Sequence, residues 1–168
     1  MKQELERIYS VHRQGLFSLA LSITGSPAKA EDAVHEAFSR LLQSGKLPDG
    51  DPVPYTFASV RNASYDIRRR ETLVRNKAAE LPTLTARQPQ DSPLASAQAS
   101  EEHDRLKQAV EGLPIAQKET VVMHIFSGLT FAQIAQSLGE PLQTVASRYR
   151  RALQALKEAL ESEHERTP

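Results

Sequence analysis

The chain has 168 residues, and its 21 basic and 21 acidic side chains leave no net charge, so any attraction to nucleic acid must come from local asymmetry. It has no Cys or Trp, and only 5% of its residues are aromatic. That excludes disulfides and thiolate metal sites and favours two small helical cores over one large one. No apolar run approaches the ~20 residues that span a bilayer, and the N-terminal Met-Lys-Gln-Glu-Leu-Glu-Arg lacks the apolar stretch of a signal peptide. The expectation is a cytoplasmic protein without membrane insertion.

Apolar residues at Leu5, Ile8, Leu16, Leu19 and Ile23 predict a first helix ending near Gly25. Ser26-Pro27 reads as an N-cap followed by proline at the first helical position. The next helix is expected to bury Ala33, Val34, Ala37, Phe38, Leu41 and Leu42 and to stop at Gly45. Lys46 to Pro54, rich in Pro, Gly and Asp, reads as a loop. A further helix starts near Pro54 and passes through Tyr55, Phe57, Ala58, Val60 and Ile67 to an arginine run, with boundaries the periodicity leaves open. Here the charge asymmetry appears. Arg61, Arg68, Arg69, Arg70, Arg75 and Lys77 face only Asp66 and Glu71 within the segment, whereas Glu31, Asp32 and Glu36 make the preceding helix acidic.

Residues 78–100 mix Pro82, Pro89 and Pro93 with Thr, Ser, Gln and Ala, and apolar periodicity fades, as in a linker. A second helical unit follows, with Leu106, Val110 and Leu113 on one helix face, then Val121, Val122, Ile125 and Phe126 on the next, ending at Gly128. Glu161 to Pro168 reads as a frayed polar tail.

Within this unit Thr130 is a good N-cap, Gln133 completes a capping box, and Leu129 with Ile134 forms a hydrophobic staple. Gly139 ends that helix and Pro141 restarts the chain. Leu142, Val145, Tyr149, Leu153, Leu156 and Leu160 form the apolar stripe of the last helix. Away from the stripe lie Thr144, Ser147, Arg148 and Arg151, with Arg150 at the flank. Short polar residues and arginines on one face suit phosphates and base edges in a major groove. The pattern is that of a helix-turn-helix with DNA as partner. An ordinary amphipathic hairpin with a solvated basic face has the same features. The five His residues show no metal-ligand spacing. No phosphate loop or nucleophile motif is present, and the expectation is no catalysis, no cofactor and no metal.

Two separate stretches carry a family resemblance. Leu113-Pro, Gly128-Leu-Thr-Phe-Ala-Gln-Ile-Ala-Gln-Ser-Leu-Gly and Thr144-Val-Ala-Ser-Arg resemble the −35-binding domain of bacterial sigma factors. Ala30-Glu-Asp-Ala-Val-His-Glu-Ala-Phe-Ser-Arg-Leu and the segment from Pro52 to Arg70 resemble their −10-reading and polymerase-binding domain. The two matches stand in the family's order and cover most of the chain. The family implied is the small two-domain extracytoplasmic-function (ECF) sigma factors.

That resemblance implies an all-α fold of two small helical domains, residues 1–77 and 101–163, joined by a flexible linker at 78–100. It implies a factor that binds core RNA polymerase, directs it to promoters and helps melt the −10 region, with an anti-sigma factor as a further partner. By the same resemblance Thr144, Ser147, Arg148, Arg150 and Arg151 contact the −35 element. Tyr55, Arg61, Asn62, Asp66, Arg68, Arg69 and Arg70 belong to the −10-reading segment. Asp32, His35, Glu36, Phe38 and Arg40 match the polymerase-docking helix. Tyr55 and Phe57 also fit a core role, and Asn62 also fits a buried polar role.

Three positions depart from the family pattern. His35 replaces a Gln, Ala146 a Lys, and Glu140 an apolar residue. Losing one phosphate contact at Ala146 lowers the salt dependence by about one unit of slope. Fully extended at ~3.3 Å per residue, the linker reaches about 75 Å. Sites about seventeen base pairs apart are roughly 58 Å apart at ~3.4 Å per pair, so the linker is long enough. Two other readings remain. One is a stand-alone helix-turn-helix regulator binding duplex DNA; the other is a sigma-like protein-binding module without promoter activity.

Overall fold

The computed structural model describes residues 1–79 and 100–164, and all the regular structure among them is helical. Helix α1 spans Lys2–Thr24, α2 Pro27–Ser44, α3 Pro52–Ala79, α4 Ser100–Glu111, α5 Ile115–Val121, α6 Phe131–Leu138 and α7 Leu142–His164. A π turn, Val122–Phe126, continues α5. Ala78 and Ala79 close α3 and Ser100 opens α4; the rest of the expected linker lies outside the described residues.

Sequence signals set most helix ends. Gly25 and Gly45 close α1 and α2 as expected, and Ser26 is extended ahead of Pro27, though its side chain makes no capping bond. The start of α3 differs from the expectation. Asp51 Oδ1 accepts a 3.0 Å hydrogen bond from the Val53 N–H, so Asp51 is the N-cap and Pro52, not Pro54, holds the first helical position. From there α3 runs unbroken to Ala79. Likewise α7 continues to His164, past the point where a frayed tail was expected.

The first three helices pack on one another through Leu16, Leu19, Ala20 and Ile23 of α1, Ala30, Ala33, Val34 and Ala37 of α2, and Phe57, Val60 and Ala63 of α3. Three alanines on the buried face of α2 let helix backbones approach closely, so few aromatic rings are needed to fill the space. Leu42, expected inside, is exposed.

The expectation of two separate cores is overturned. Val122, Met123, Leu129, Ile134, Ala135 and Val145 of the C-terminal half belong to the same buried cluster as Phe57 and Leu16. Helix α3 packs on α6, and α1 packs on α5 and the π turn. A second, small cluster of Leu113, Val121, Ala152 and Leu156 joins α5 and α7 to the end of α4. The halves interlock closely at Gly15 in α1. A Cβ there would lie 2.2 Å from Ser127 Oγ and 2.9 Å from Ser127 Cα, so only glycine fits this approach.

Apolar expectations fail in three segments of the C-terminal half. Ile125 and Phe126 are 53% and 54% exposed, while Met123 is buried instead. The π turn inserts an extra residue into the helical repeat and rotates everything after it out of phase. In α7 the buried positions are Val145, Ala152 and Leu156, and Leu142, Leu153 and Leu160 are exposed. Leu106 of α4 is exposed as well.

Candidate nucleic-acid and polymerase interface

The helix-turn-helix comprises α6 and α7. Gln133 N–H donates to Thr130 Oγ1 at 3.2 Å, and Thr130 N–H donates to Gln133 Oε1 at 3.0 Å, which completes the capping box. Gly139, with φ of 66°, ends α6 in the left-handed conformation that glycine adopts without strain. Its neighbour Glu140 donates its N–H to Ala135 O at 3.0 Å. These local bonds fix the turn and so aim the start of α7.

On α7, Thr144, Arg150 and Arg151 are exposed, and Ser147 is half-buried beside Arg150, whose Nη2 lies 3.4 Å from the hydroxyl. Arg148 is different. Its side chain is only 19% exposed, and its Nη2 lies 2.6 Å from Glu140 Oε2. The carboxylate that departs from the family pattern thus holds one of the arginines expected to reach DNA. Behind this face, Tyr149 packs on His124 and Phe131, with ring centroids 4.9 Å and 5.2 Å apart.

On α3 the two aromatics separate cleanly. Phe57 is fully buried, whereas Tyr55 is 44% exposed and available to stack. Asn62, Arg68, Arg69 and Arg70 are exposed; the alternative of a buried Asn62 does not hold. Arg61 is partly covered. Its Nε donates to Glu119 Oε1 at 2.9 Å and its Nη2 to Oε2 at 3.3 Å. The Tyr65 hydroxyl donates to the same Oε1 at 2.9 Å, and the Arg61 guanidinium stands 4.9 Å from the centroid of the Tyr65 ring. Desolvation opposes the Arg61 charge, but the bonds and charge of Glu119 outweigh it and raise its pKa. Burial, followed by the Glu119 charge, pushes Tyr65 up to about 12.

The candidate docking residues sit on the adjoining face of α2. Asp32, His35 and Arg40 are exposed, and Glu36 and Phe38 are half-buried. Phe38 meets Tyr9 of α1 edge to face, with centroids 5.3 Å apart. Leu5, Tyr9, Val34, His35, Phe38 and Leu42 line a largely apolar groove of about 420 Å³. The charged residues of α2 and α3 form one network. Arg70 donates to Glu36 at 2.9 and 3.2 Å, Arg40 pairs with Glu36 and lies 3.4 Å from Asp66, and Arg69 donates to Asp66 at 2.8 Å. The arginine run, which within its own segment faces few carboxylates, is partly neutralised by the helix beside it. Sequence reasoning missed Tyr9, Leu42 and Glu119. No motif contains them, and only the packing of α1 on α2 and the reach of the Arg61 and Tyr65 side chains from α3 to Glu119 bring them to these sites.

No group of His, Asp and Glu among the described residues is arranged to hold a metal ion. No helix among them is long and apolar enough to cross a membrane. Residues 8–74 match the family described as Sigma-70 region 2, and residues 103–156 match Sigma-70, region 4. The chain belongs to the sigma-70 family. The two regions of this sigma factor take in the helices that carry the candidate interface. It is similar to the ECF RNA polymerase sigma factor SigL of Mycobacterium tuberculosis (strain ATCC 25618 / H37Rv), with 28% identity over 160 residues, covering 94% of this chain and 89% of that one. It is also similar to SigK of Mycobacterium ulcerans (strain Agy99), with 22% identity over 150 residues, 88% of this chain and 80% of that one.

Among solved structures, the fold resembles the sigma factor RpoE of Bartonella quintana, determined in complex with the anti-sigma factor NepR. The TM-score is 0.69 at 23% identity, over 95% of this chain and 96% of that one. It also resembles CnrH in complex with the cytosolic domain of CnrY, with a TM-score of 0.67 at 19% identity, over 96% and 90% of the two chains. The sigma factor is a promoter-specific transcription initiation factor of the ECF type, working with core RNA polymerase on promoter DNA. Its family is not a family of enzymes.

Proposed function

We propose that the two halves read the two promoter elements with the residues their exposed faces present. On this reading Thr144, Ser147, Arg150 and Arg151 of α7 contact the −35 duplex, with Arg148 joining once Glu140 releases it. Tyr55, Asn62, Arg68, Arg69 and Arg70 of α3 take the unstacked −10 strand, by stacking, edge hydrogen bonds and phosphate contacts. Arg61 and Asp66 belong to the same surface. Asp32, His35, Glu36, Phe38 and Arg40, with the groove beside them, dock on core polymerase. Residues 1–77 and 101–163 act as the two functional domains across the linker.

The observation that carries the reading is Tyr55. It is the aromatic side chain left exposed on a helix whose neighbouring aromatic, Phe57, is wholly inside. An exposed ring followed within two turns by Asn62 and then by arginines is what a captured single strand needs. An anti-sigma factor as regulator is supported by the likeness to RpoE of Bartonella quintana, which was determined in complex with the anti-sigma factor NepR. Work alongside polymerase also supports a cytoplasmic location for the sigma factor.

The test is run-off transcription by core polymerase reconstituted with the purified sigma factor on a promoter library. Tyr55→Ala is expected to lower open-complex formation by about 5- to 150-fold, the loss of one stacked base at ~1–3 kcal/mol, while leaving core binding intact. A folded protein that fails to bind core, or a Tyr55→Ala variant as active as the unaltered chain, overturns the reading. Tight binding to palindromic duplex without polymerase would instead favour a stand-alone regulator.

A further inference from the structure

Thr144, Arg148 and Arg151 recur at helical spacing along α7 and so share one of its faces. Arg151 is exposed, but Arg148 lies folded against Glu140, with Nη2 2.6 Å from Oε2. Glu140 stands just ahead of the helix. The Pro141 carbonyl accepts from the N–H groups of Thr144 and Val145, at 3.0 and 3.2 Å, and so begins α7 with the carboxylate beside its first turn. Both partners belong to the helix-turn-helix itself, so the pair is part of the recognition element and depends on no other region of the chain.

Two features decide how firmly the arginine is held. Glu140 Oε2 is shut off from water, and no donor among the described residues is aligned on it, Arg148 included. The contact is therefore an ion pair without a directed hydrogen bond. If Arg148 leaves, that oxygen stays covered and loses its only counter-charge, which opposes release. A phosphate or a guanine edge offers the guanidinium the directed bonds that Glu140 does not, which favours release. The arginine is thus held, but exchangeable. Charge works in the same direction. From Leu129 to Ala152 the basic side chains are Arg148, Arg150 and Arg151, and the acidic one is Glu140. Its carboxylate occupies one of the three cations and repels the phosphates that the other two approach.

We propose that Glu140 is a positioning residue that sets the strength of the −35 contact by withholding Arg148 from the duplex. The proposal rests on the assignment of Arg148 to that element. Each encounter must break the ion pair before Arg148 reaches a phosphate or a base edge. The −35 contact is therefore weaker than three free arginines would make it, and promoter choice leans on the −10 segment.

The experiment uses the full chain assembled with core polymerase. It measures equilibrium binding of a fluorescent promoter duplex recovered from the library, between about 50 and 200 mM salt. Glu140→Gln removes the charge and keeps the shape, and Glu140→Leu removes the acceptor as well. Both are expected to tighten binding about tenfold at the low-salt end, the value of one hydrogen bond to a charged group. Both should also steepen the salt dependence by about one unit of slope, a further three- to fourfold loss of affinity across that range. Arg148→Ala supplies the readout that a merely structural role for Glu140 would not move. It is expected to abolish the gain in affinity and slope in the Glu140→Leu chain, and to change binding far less in the unaltered one.

Unchanged binding and slope in both Glu140 variants overturns the withholding. If Arg148→Ala then weakens the unaltered complex, Arg148 still belongs to the −35 element; if it does not, that assignment falls too. A gain that survives Arg148→Ala overturns both, because the carboxylate then acts by repulsion alone.

Discussion

The two halves of the sigma factor hold themselves together differently. The N-terminal half is three long helices around Phe57, Leu16, Leu19 and Val60, all fully buried. The C-terminal half has only a small cluster of its own, Leu113, Val121, Ala152 and Leu156, and lends Met123, Leu129, Ile134 and Val145 to its neighbour's core. The lesson is that the helix-turn-helix is shaped locally, by its caps and turn, but made stable in part by a surface on the other half. A recognition element built that way can be released without losing its shape.

The strongest way to break this comparison is Phe57→Ala, expected to cost about 3–5 kcal/mol. Because one core serves both halves, unfolding followed by circular dichroism should remain a single transition at lower denaturant. Two separated transitions would show that the halves do not share a core. Ile134→Ala should cost about 2–5 kcal/mol and weaken α6 and its contact with α3 together; amide exchange confined to α6 would contradict it. Thr130→Ala removes the capping box and should cost about 1 kcal/mol. That lowers the melting temperature by roughly 2–4 °C for a chain of this size.

Alkali offers a smaller perturbation. Tyr65 is held protonated up to about pH 12 in the folded chain, against roughly 10 for a free tyrosine. Between those values the folded state keeps a proton that the unfolded state has lost, so stability falls as pH rises through that window and is unaffected by this group below it. Tyrosinate absorbance should show a last-titrating component that Tyr65→Phe removes. Smallest of all is Arg40→Ala, at about 0–1 kcal/mol, since the Glu36–Arg40–Asp66 network is a surface one. A loss well beyond that would mean that the network does more than decorate α2 and α3.

Much of the fold was legible because its signals are local. The Thr130–Gln133 capping box, Gly139 at the turn and glycines at the ends of α1 and α2 need only neighbouring residues, and each stands where the sequence put it. Periodicity misled where its assumption failed. The π turn shifts the register after Val121, so Met123 goes inside and Ile125 and Phe126 go out. The start of α3 was misplaced because Asp51, read as loop composition, is a cap.

Of the interface, the exposed faces of α7 and α3 were readable, but their pairings were not. Arg61 meets Glu119 across 58 positions of sequence, and no local pattern reports that. The low aromatic content argued for two cores. Instead Met123, Leu129, Ile134 and Val145 join Leu16 and Phe57 in a cluster that both halves share.

One side chain has an effect beyond its size. The Gln133 amide gives its oxygen to the start of α6 and its nitrogen to Asp51, whose other oxygen caps α3. Two helix origins, far apart in the chain, therefore share a single hinge of hydrogen bonds, and fraying at either one loosens the other. Deuterium uptake at the Val53 and Gln133 amides should rise in step when either residue is changed, a cross-talk that requires no movement of the helices between them.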